Sequence, residues 1–303
     1  MPKILVFGSL NIDDVYTVEH FVRPGETIHP LQYQSFPGGK GLNQCVAFVR
    51  AGAQTYLAGK IGEDGHLLTR FLQEAGVDSQ YVLPSECRTG RATIQVDAQG
   101  QNSIILYQGA NADISEEDIN EILSTFEAGD ILVTQNETNA TAMLIEKAFQ
   151  AGLQVAFNPS PIDASIQSCD LSKVTWLFIN EIEGEELTGQ SEPEQISAEL
   201  LRRYPNLKII LTLGKQGVRY QEQGLVAEHG IYPVPVVDTT AAGDTFTGFF
   251  LGSIARGETP QSALQLASAA SSIAVSAKGA AISIPALEEV IQFIKLHKQE
   301  ESL

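Results

Sequence analysis

The sequence predicts an α/β fold, with a central mostly parallel sheet flanked by helices and a small β-sheet lid beside it. Three observations carry this. Short β-branched runs alternate with longer helical stretches along most of the chain, the pattern of strand, crossover and parallel strand. Two regions break that alternation with strand-like segments that no helix accompanies. The last third is richer in helix than the rest.

Taken in order, the strands expected in the main sheet are Ile4–Phe7, Gln54–Ala58, Ile131–Thr134, Gln154–Phe157, Trp176–Ile179 and Lys208–Thr212. Between them the spacing predicts helices over Leu67–Ala75, Thr141–Ala151 and Ile196–Tyr204. Three more follow, over Ala242–Arg256, Gln261–Ser276 and Leu287–Lys298. The first exceptional region, Asp14–Phe36, carries strand-like pieces around Pro24-Gly25-Glu26-Thr27. In the second, Ala92–Asp97 and Ser103–Tyr107 flank Gln99-Gly100-Gln101-Asn102, a hairpin signal with glycine at the turn. Together they suggest a second sheet standing off the main body, built from about 14–36 and 92–107, and a flap of that kind beside a site acts as a lid. Repeats, low-complexity tracts and linkers are lacking, so residues 1–303 are expected to be a single domain.

Bulk composition narrows the function classes. The 303 residues suffice for a large buried core. Apolar residues at 43% and charged residues at 18% are an ordinary soluble balance. No apolar run is long enough to span a membrane, and the apolar start is too brief for a secretory signal. Cys45, Cys87 and Cys169 are few, odd in number and far apart. They suit free thiols in a reducing cytoplasm rather than disulfides or zinc. The five histidines show no metal-ligand spacing. A net charge of −18 repels a nucleic-acid backbone. It also means that any phosphate would be held mainly by backbone amides and a magnesium ion.

The most informative stretch runs from Asp238 to Gly248 (DTTAAGDTFTG). The small residues Ala241, Ala242 and Gly243 let backbone N–H groups crowd together, and the apolar run from Phe246 continues as a helix. Free amides and the helix dipole there suit a phosphoryl group gaining charge in transfer. Asp244, in the first turn, can face both that anion hole and a nearby hydroxyl. A lone Gly-Asp at a helix start is more often a capped helix with a dipole-favoured acid. The length of the run shifts that balance towards chemistry.

A second cluster is Gly38-Gly39-Lys40-Gly41-Leu42-Asn43-Gln44. It is not a Walker loop, since no Gly-Lys pair of the chain is followed by Ser or Thr. A tight turn before a helix explains its glycines but not Asn43-Gln44. Asn11 and Asp13 follow the first strand, where open α/β sheets carry ligand groups, although Asx-turn chemistry explains them equally. Glu137 follows another strand and reads as readily as a first-turn helix acid. Asn180 with Glu183 three residues on is, alone, a helix cap. The segment from Thr212 to Gly217, with Gly214 between, is, alone, a hairpin turn.

The Asp238–Asp244 run and the Gly38–Gln44 run resemble the two signatures of the ribokinase-like carbohydrate kinase family. Supporting matches lie at Gly8–Asp13, Pro24–Thr27, Gln135-x-Glu137, Asn158-Pro159, Asn180-x-x-Glu183, Thr212–Gly217 and Lys278–Ala280, in order and nearly end to end. The resemblance implies transfer of the ATP γ-phosphoryl to a primary hydroxyl, closest to O5 of D-ribose, with Asp244 as base and the amides of Ala241, Ala242, Gly243 and Asp244 as anion hole. It implies that Asn11, Asp13, Gly39, Lys40, Asn43 and Glu137 hold the sugar. For ATP it implies Asn180, Thr212, Gly214, Gly217, Gly243 and Ser268, with Glu183 organising Mg2+ through water. It further implies an activating K+ at Asp238, Thr240, Ala274, Ala277, Gly279 and Ser283. A homodimer joined through the β lid is expected, with no membrane or nucleic-acid partner.

Two departures from the family pattern stand out. Gly65 follows Gly62-Glu63-Asp64 at once, and Ser268 stands where a larger polar residue beside the adenine is usual. Rival acceptors are deoxyribose, fructose and a nucleoside such as pseudouridine. A catalytically silent sugar or nucleotide sensor on the same fold would be expected to lack Asp244, which is present. A nicotinamide enzyme would need Gly-x-Gly-x-x-Gly after the first strand, and Gly8-Ser9-Leu10-Asn11 does not supply it.

Overall fold

The computed structural model describes residues 1–300. The chain opens with β1 (Ile4–Phe7), β2 (Asn11–Thr17), β3 (Gln32–Gly38), α1 (Lys40–Arg50), β4 (Thr55–Ile61), α2 (His66–Glu74) and β5 (Asp78–Pro84). It continues through β6 (Gly90–Val96), β7 (Asn102–Tyr107), α3 (Glu116–Leu123), β8 (Ile131–Gln135), α4 (Thr141–Gln150) and β9 (Gln154–Asn158). Then come β10 (Trp176–Asn180), α5 (Glu181–Thr188), α6 (Pro193–Arg203), β11 (Lys208–Thr212), β12 (Val218–Glu222) and β13 (Leu225–His229). Three helices close the chain: α7 (Ala242–Ala255), α8 (Pro260–Val275) and α9 (Leu287–Glu300).

Nine strands form the large sheet in the order β13-β12-β11-β10-β9-β8-β1-β4-β5. Pairing is parallel except where β12 meets β11 and β13. Both faces are covered, which is why the central strands are apolar without alternation. In β1, Ile4 and Val6 pack into one core with α1, α7 and α8, while Leu5 and Phe7 pack into the other with α3 and α4. Helix ends follow local chemistry. Thr259 Oγ1 accepts from the Ser262 N–H with Pro260 as the first residue of α8, and α5 stops at Gly189 in the left-handed region.

The small sheet is separate, with order β3-β2-β6-β7. Asn11 and Asp13, read from sequence as following the first strand, belong to β2; Asn11 lies opposite Gly38 and Gly90, Asp13 opposite Phe36 and Ala92. Arg91 on β6 ties the sheet to the main body, donating to Asp14 at 2.8 Å and to Asp64, just before α2, at 3.3 Å. Among the described residues no helix is long and apolar enough to cross a membrane, and the three cysteines are free thiols.

Candidate active site

Strand order reverses at β1, with β4 and β5 on one side and β8 to β11 on the other. The crevice beyond the carboxyl ends of such strands is where open α/β sheets hold ligands. Ser9 follows β1, Gln135 and Glu137 come at the end of β8, and Asn180 and Thr212 end β10 and β11.

The Gly38–Gln44 run presses the start of α1 onto the segment after β1. Gly39 has φ 92°, and a Cβ there would lie 2.7 Å from the Ser9 carbonyl oxygen. A Cβ on Gly41 would lie 2.6 Å from the Gly8 backbone. No other residue fits either place. The contact lets the Lys40 N–H donate to Glu137 Oε2 at 3.2 Å, and the Ser9 hydroxyl donates to the same oxygen.

Charge is crowded here. Burial, followed by the neighbouring Glu137, Asp14 and Asp244 carboxylates, raises the Asp13 carboxyl to about 7. Burial also raises Glu137, in spite of Lys40 and the hydrogen bonds from Ser9 and the Lys40 amide. Burial alone would lower the Lys40 ammonium, but Asp244, Glu137 and Glu183 outweigh it and hold the group above its usual value. Lys40 is therefore a full positive charge among carboxylates.

Asp244 is buried in the first turn of α7. Asn43 Nδ2 donates to one carboxylate oxygen at 3.1 Å and Gln44 Nε2 to the other at 3.0 Å. The structure thus turns the Asn43 amide towards Asp244, and Asn43 Oδ1 is buried with no protein partner. Ala241 precedes the helix at φ 60°, the one non-glycine residue in the left-handed region among the described residues. This kink lines up the first amides of α7. One expectation needs correction: the Ala242 N–H donates to the Thr239 carbonyl at 3.2 Å, because the kink folds that residue into a tight turn. The amides of Ala241, Gly243 and Asp244 meet no acceptor among the described residues.

Lys40, Asp244 and Gly243 line the same cavity, about 230 Å³, as Asn180, Glu183 and Thr212. Asn180 Oδ1 accepts from the Glu183 N–H at 2.9 Å and Glu183 Oε2 accepts from the Asn180 N–H at 3.0 Å. The pair is thus a capping box and a cavity wall at once. Gly214 and Gly217 lie in the bend between β11 and β12, outside that wall; Gly217, at φ 98°, packs against the His229 carbonyl. Ser268 is not brought to the cavity either. It is buried within α8, because its position on the helix faces the packed interior.

Asp238 sits under a loop at the end of α8. Its Oδ1 accepts from the Thr240 N–H at 2.9 Å and the Thr240 hydroxyl at 2.6 Å, its Oδ2 from the Gly279 N–H at 3.1 Å. Burial would raise this carboxyl, but those donors and Lys278 bring it below its usual value. Val237 and Asp238 donate to the Val275 carbonyl at 2.8 and 3.2 Å, which fastens this segment beside Ala274 and Ala277. Ser283 donates through its hydroxyl to the Ala280 carbonyl at 2.9 Å. The structure brings Asp238, Thr240 and Gly279 into direct contact.

Sequence reasoning missed Asn111. Its Oδ1 accepts from the Leu10 N–H at 3.0 Å, and its Nδ2 donates to Asn11 Oδ1 at 2.8 Å. It lies in a short turn after β7, remote in sequence from Asn11, and nothing local marks it. Gln44 and Gln135 were visible only as parts of motifs, yet Gln135 Nε2 donates to Gln44 Oε1 at 2.7 Å directly behind Asp244.

Comparison with known proteins identifies the family. A ribokinase of Staphylococcus aureus (strain COL) is 36% identical over 301 residues, covering 96% of this chain and 99% of its own. One from Bacillus subtilis (strain 168) is 35% identical over 299 residues, covering 97% and 100%. Among solved structures, Arabidopsis thaliana ribokinase complexed with ribose and ATP is similar at TM-score 0.87 and 32% identity, covering 97% of this chain and 99% of that one. The pattern of the pfkB family carbohydrate kinases matches residues 1–287, so this chain belongs to that family and is an ATP-dependent carbohydrate kinase.

Proposed function

We propose that the chain transfers the γ-phosphoryl group of ATP to O5 of D-ribose, giving D-ribose 5-phosphate. The observation that carries this is the shared cavity: Asp244, held by two amides, and the unpartnered amides at the start of α7 face the same space as Asn180, Glu183 and Thr212. Asp244 takes the proton of the acceptor hydroxyl as that oxygen bonds to the γ-phosphorus and the bond to the β-γ bridging oxygen breaks. The amides of Ala241, Gly243 and Asp244 receive the charge gathering on the transferring group. Lys40 adds a fixed positive charge beside it. Asn11, Asp13 and Glu137 meet the sugar hydroxyls, and such buried polar groups reject acceptors that lack them.

Glu183 keeps one carboxylate oxygen free of the capping box, which suits holding a magnesium-bound water. Magnesium bound there neutralises charge on the triphosphate. Asp238 and Thr240, joined to Gly279 by its N–H, lie just before the anion hole and would hold an activating potassium ion together with Ala274, Ala277, Gly279 and Ser283. A chain with three free thiols fits the cytoplasm. The small sheet acts as a lid over the sugar, and β7 with Leu31 and Tyr33 exposes an apolar face, Ile105 at 67%, that a second copy of the chain covers. Light scattering that finds only monomer at assay concentration removes the dimer.

The test is a coupled ADP-release assay over ribose, deoxyribose, fructose and nucleosides, run with wild type and Asp244→Asn. Ribose is expected to have the highest kcat/KM, and the variant to lose ~10²–10⁴ in kcat while still binding ATP. A tenfold preference for another acceptor replaces ribose. A folded variant within about tenfold of wild type means that Asp244 is not the base.

A further inference from the structure

Behind Asp244 lies a pair of side chains with no contact to the cavity. Gln44 on α1 and Gln135 at the end of β8 are both fully buried. Gln44 Nε2 donates to Asp244 Oδ1 at 3.0 Å and Gln135 Nε2 donates to Gln44 Oε1 at 2.7 Å. Gln135 Oε1 is then left buried with no partner.

The direction of this chain is not free. An ionised carboxylate only accepts hydrogen bonds, so Gln44 must turn its NH2 to Asp244 and its carbonyl to Gln135. Gln135 must then present its own NH2, and its oxygen is pushed against the Gly8 backbone. A Cβ on Gly8 would lie 1.9 Å from that oxygen, so only glycine admits it. An orphaned amide oxygen costs stability that two apolar side chains of the same size would not. The arrangement is therefore poor packing but a good strut. It begins on a strand paired on both sides in the large sheet, β1 on one and β9 on the other. It ends on one carboxylate oxygen, while Asn43 holds the other at 3.1 Å.

We propose that Gln44 and Gln135 are positioning residues: a two-amide strut from β8 that fixes the plane of the Asp244 carboxylate relative to the first amides of α7. This inference rests on Asp244 being the base. With the strut in place, the lone pair that takes the hydroxyl proton is aimed before substrate arrives. Without it, the carboxylate rotates about its own Cβ–Cγ bond and samples unproductive planes. Small misplacements of a reacting group lower the rate without weakening binding.

The experiment compares Gln44→Met, Gln135→Met and the double variant in kcat, in KM for ribose and for ATP, and in thermal unfolding. Gln44→Met is expected to lose about ten- to a hundredfold in kcat and Gln135→Met about three- to tenfold, with both KM values within about twofold of wild type. Because the two act in series, the double variant should be no slower than Gln44→Met alone. Gln135→Met removes one orphaned oxygen but leaves Gln44 Oε1 without its donor, so it should melt slightly below wild type while remaining folded at assay temperature. A fall in kcat with both KM values kept, in a variant that is still folded at assay temperature, is an outcome that a filler role cannot produce. Losses in kcat that multiply in the double variant, a rise in KM at constant kcat, or a Gln135→Met kcat within twofold of wild type each overturn the strut. Should Gln135→Met fail to fold, Gln135→Leu replaces it, which offers Gln44 no hydrogen bond at any pH, and the same fall in kcat is expected. If Asp244→Asn is inactive while both Gln135 variants turn over normally, the strut alone is wrong. If Asp244→Asn is active, the base assignment fails first and the strut falls with it.

Discussion

Asp13→Asn should make the empty protein more stable and the enzyme worse. The folded protein holds this carboxyl at about 7 against an ordinary 3.8, through burial first and then the charges of Glu137, Asp14 and Asp244. Between those pH values the folded state keeps a proton that the unfolded chain has lost, so stability falls as pH rises through that window and levels off above it. At 1.36 kcal/mol per pKa unit, the full penalty is up to ~4 kcal/mol, of which about 2–3 falls between pH 5 and pH 8. Asparagine keeps the shape and has no proton to lose. Urea denaturation at pH 5 and pH 8, without sugar, measures the difference directly. Glu137 is raised in the same direction, so the variant retains part of the slope, and the readout is the gap between the two curves. That gap should widen with pH in favour of the variant. In the same preparations the KM for ribose should rise about tenfold or more, because a hydroxyl bound to a carboxylate is worth roughly 1.5–3 kcal/mol. Parallel stability curves for wild type and Asp13→Asn would refute the reasoning, whatever the kinetics.

Three further expectations follow from particular contacts. Gly39→Ala places a methyl 2.7 Å from the Ser9 carbonyl at φ 92°, so it should destabilise by about 2 kcal/mol or more in urea and lower kcat by displacing α1. Arg91→Met removes the ties to Asp14 and Asp64; it should cost about 1–2 kcal/mol of stability at low salt and raise the KM for sugar, and equal stability to wild type would exclude a tethering role. Asp238→Ala frees the Gly279 N–H and both Thr240 donors, and should flatten the response of kcat to potassium against a large organic cation, measured at constant ionic strength.

The main sheet is legible because its strands are short, β-branched apolar runs between helical stretches, as strands covered on both faces are. Strands at and next to the sheet edges are harder: β5, β12 and β13 carry polar side chains and lack that signature. The small sheet blurs for a related reason. Its strand β3 (QYQSFPG) contains a proline and is mostly exposed, and β2 begins with polar residues that read as a turn. In the site, the Lys40 amide meets Glu137 and the Asn43 amide meets Asp244. What could not be read is who holds whom. Asn111 reaches Asn11 across 100 positions, the Ala242 amide turns back on Thr239, and Ser268 faces the interior of the fold. Each depends on how a backbone kink or a helix face is set by tertiary packing, which local sequence does not encode.

The chain carries a net charge of −18, and its site adds carboxylates where a polyanion must react. Lys40 resolves much of that conflict. It is the first residue of α1, so the Gly39 turn that brings its amide to Glu137 also anchors its side chain in the cavity. Asp244, Glu137 and Glu183 hold its ammonium charged despite burial. One cation is thus shared by carboxylates that the chain supplies from three separate segments. Replacing Lys40 with methionine would leave three carboxylates without the cation they share, which, on the proposed reaction, opposes charge build-up in transfer more than it opposes sugar binding. The expected signature is a fall in kcat and a weaker ATP affinity with a smaller change in the KM for sugar. A change confined to the sugar KM would mean that Lys40 serves the acceptor alone.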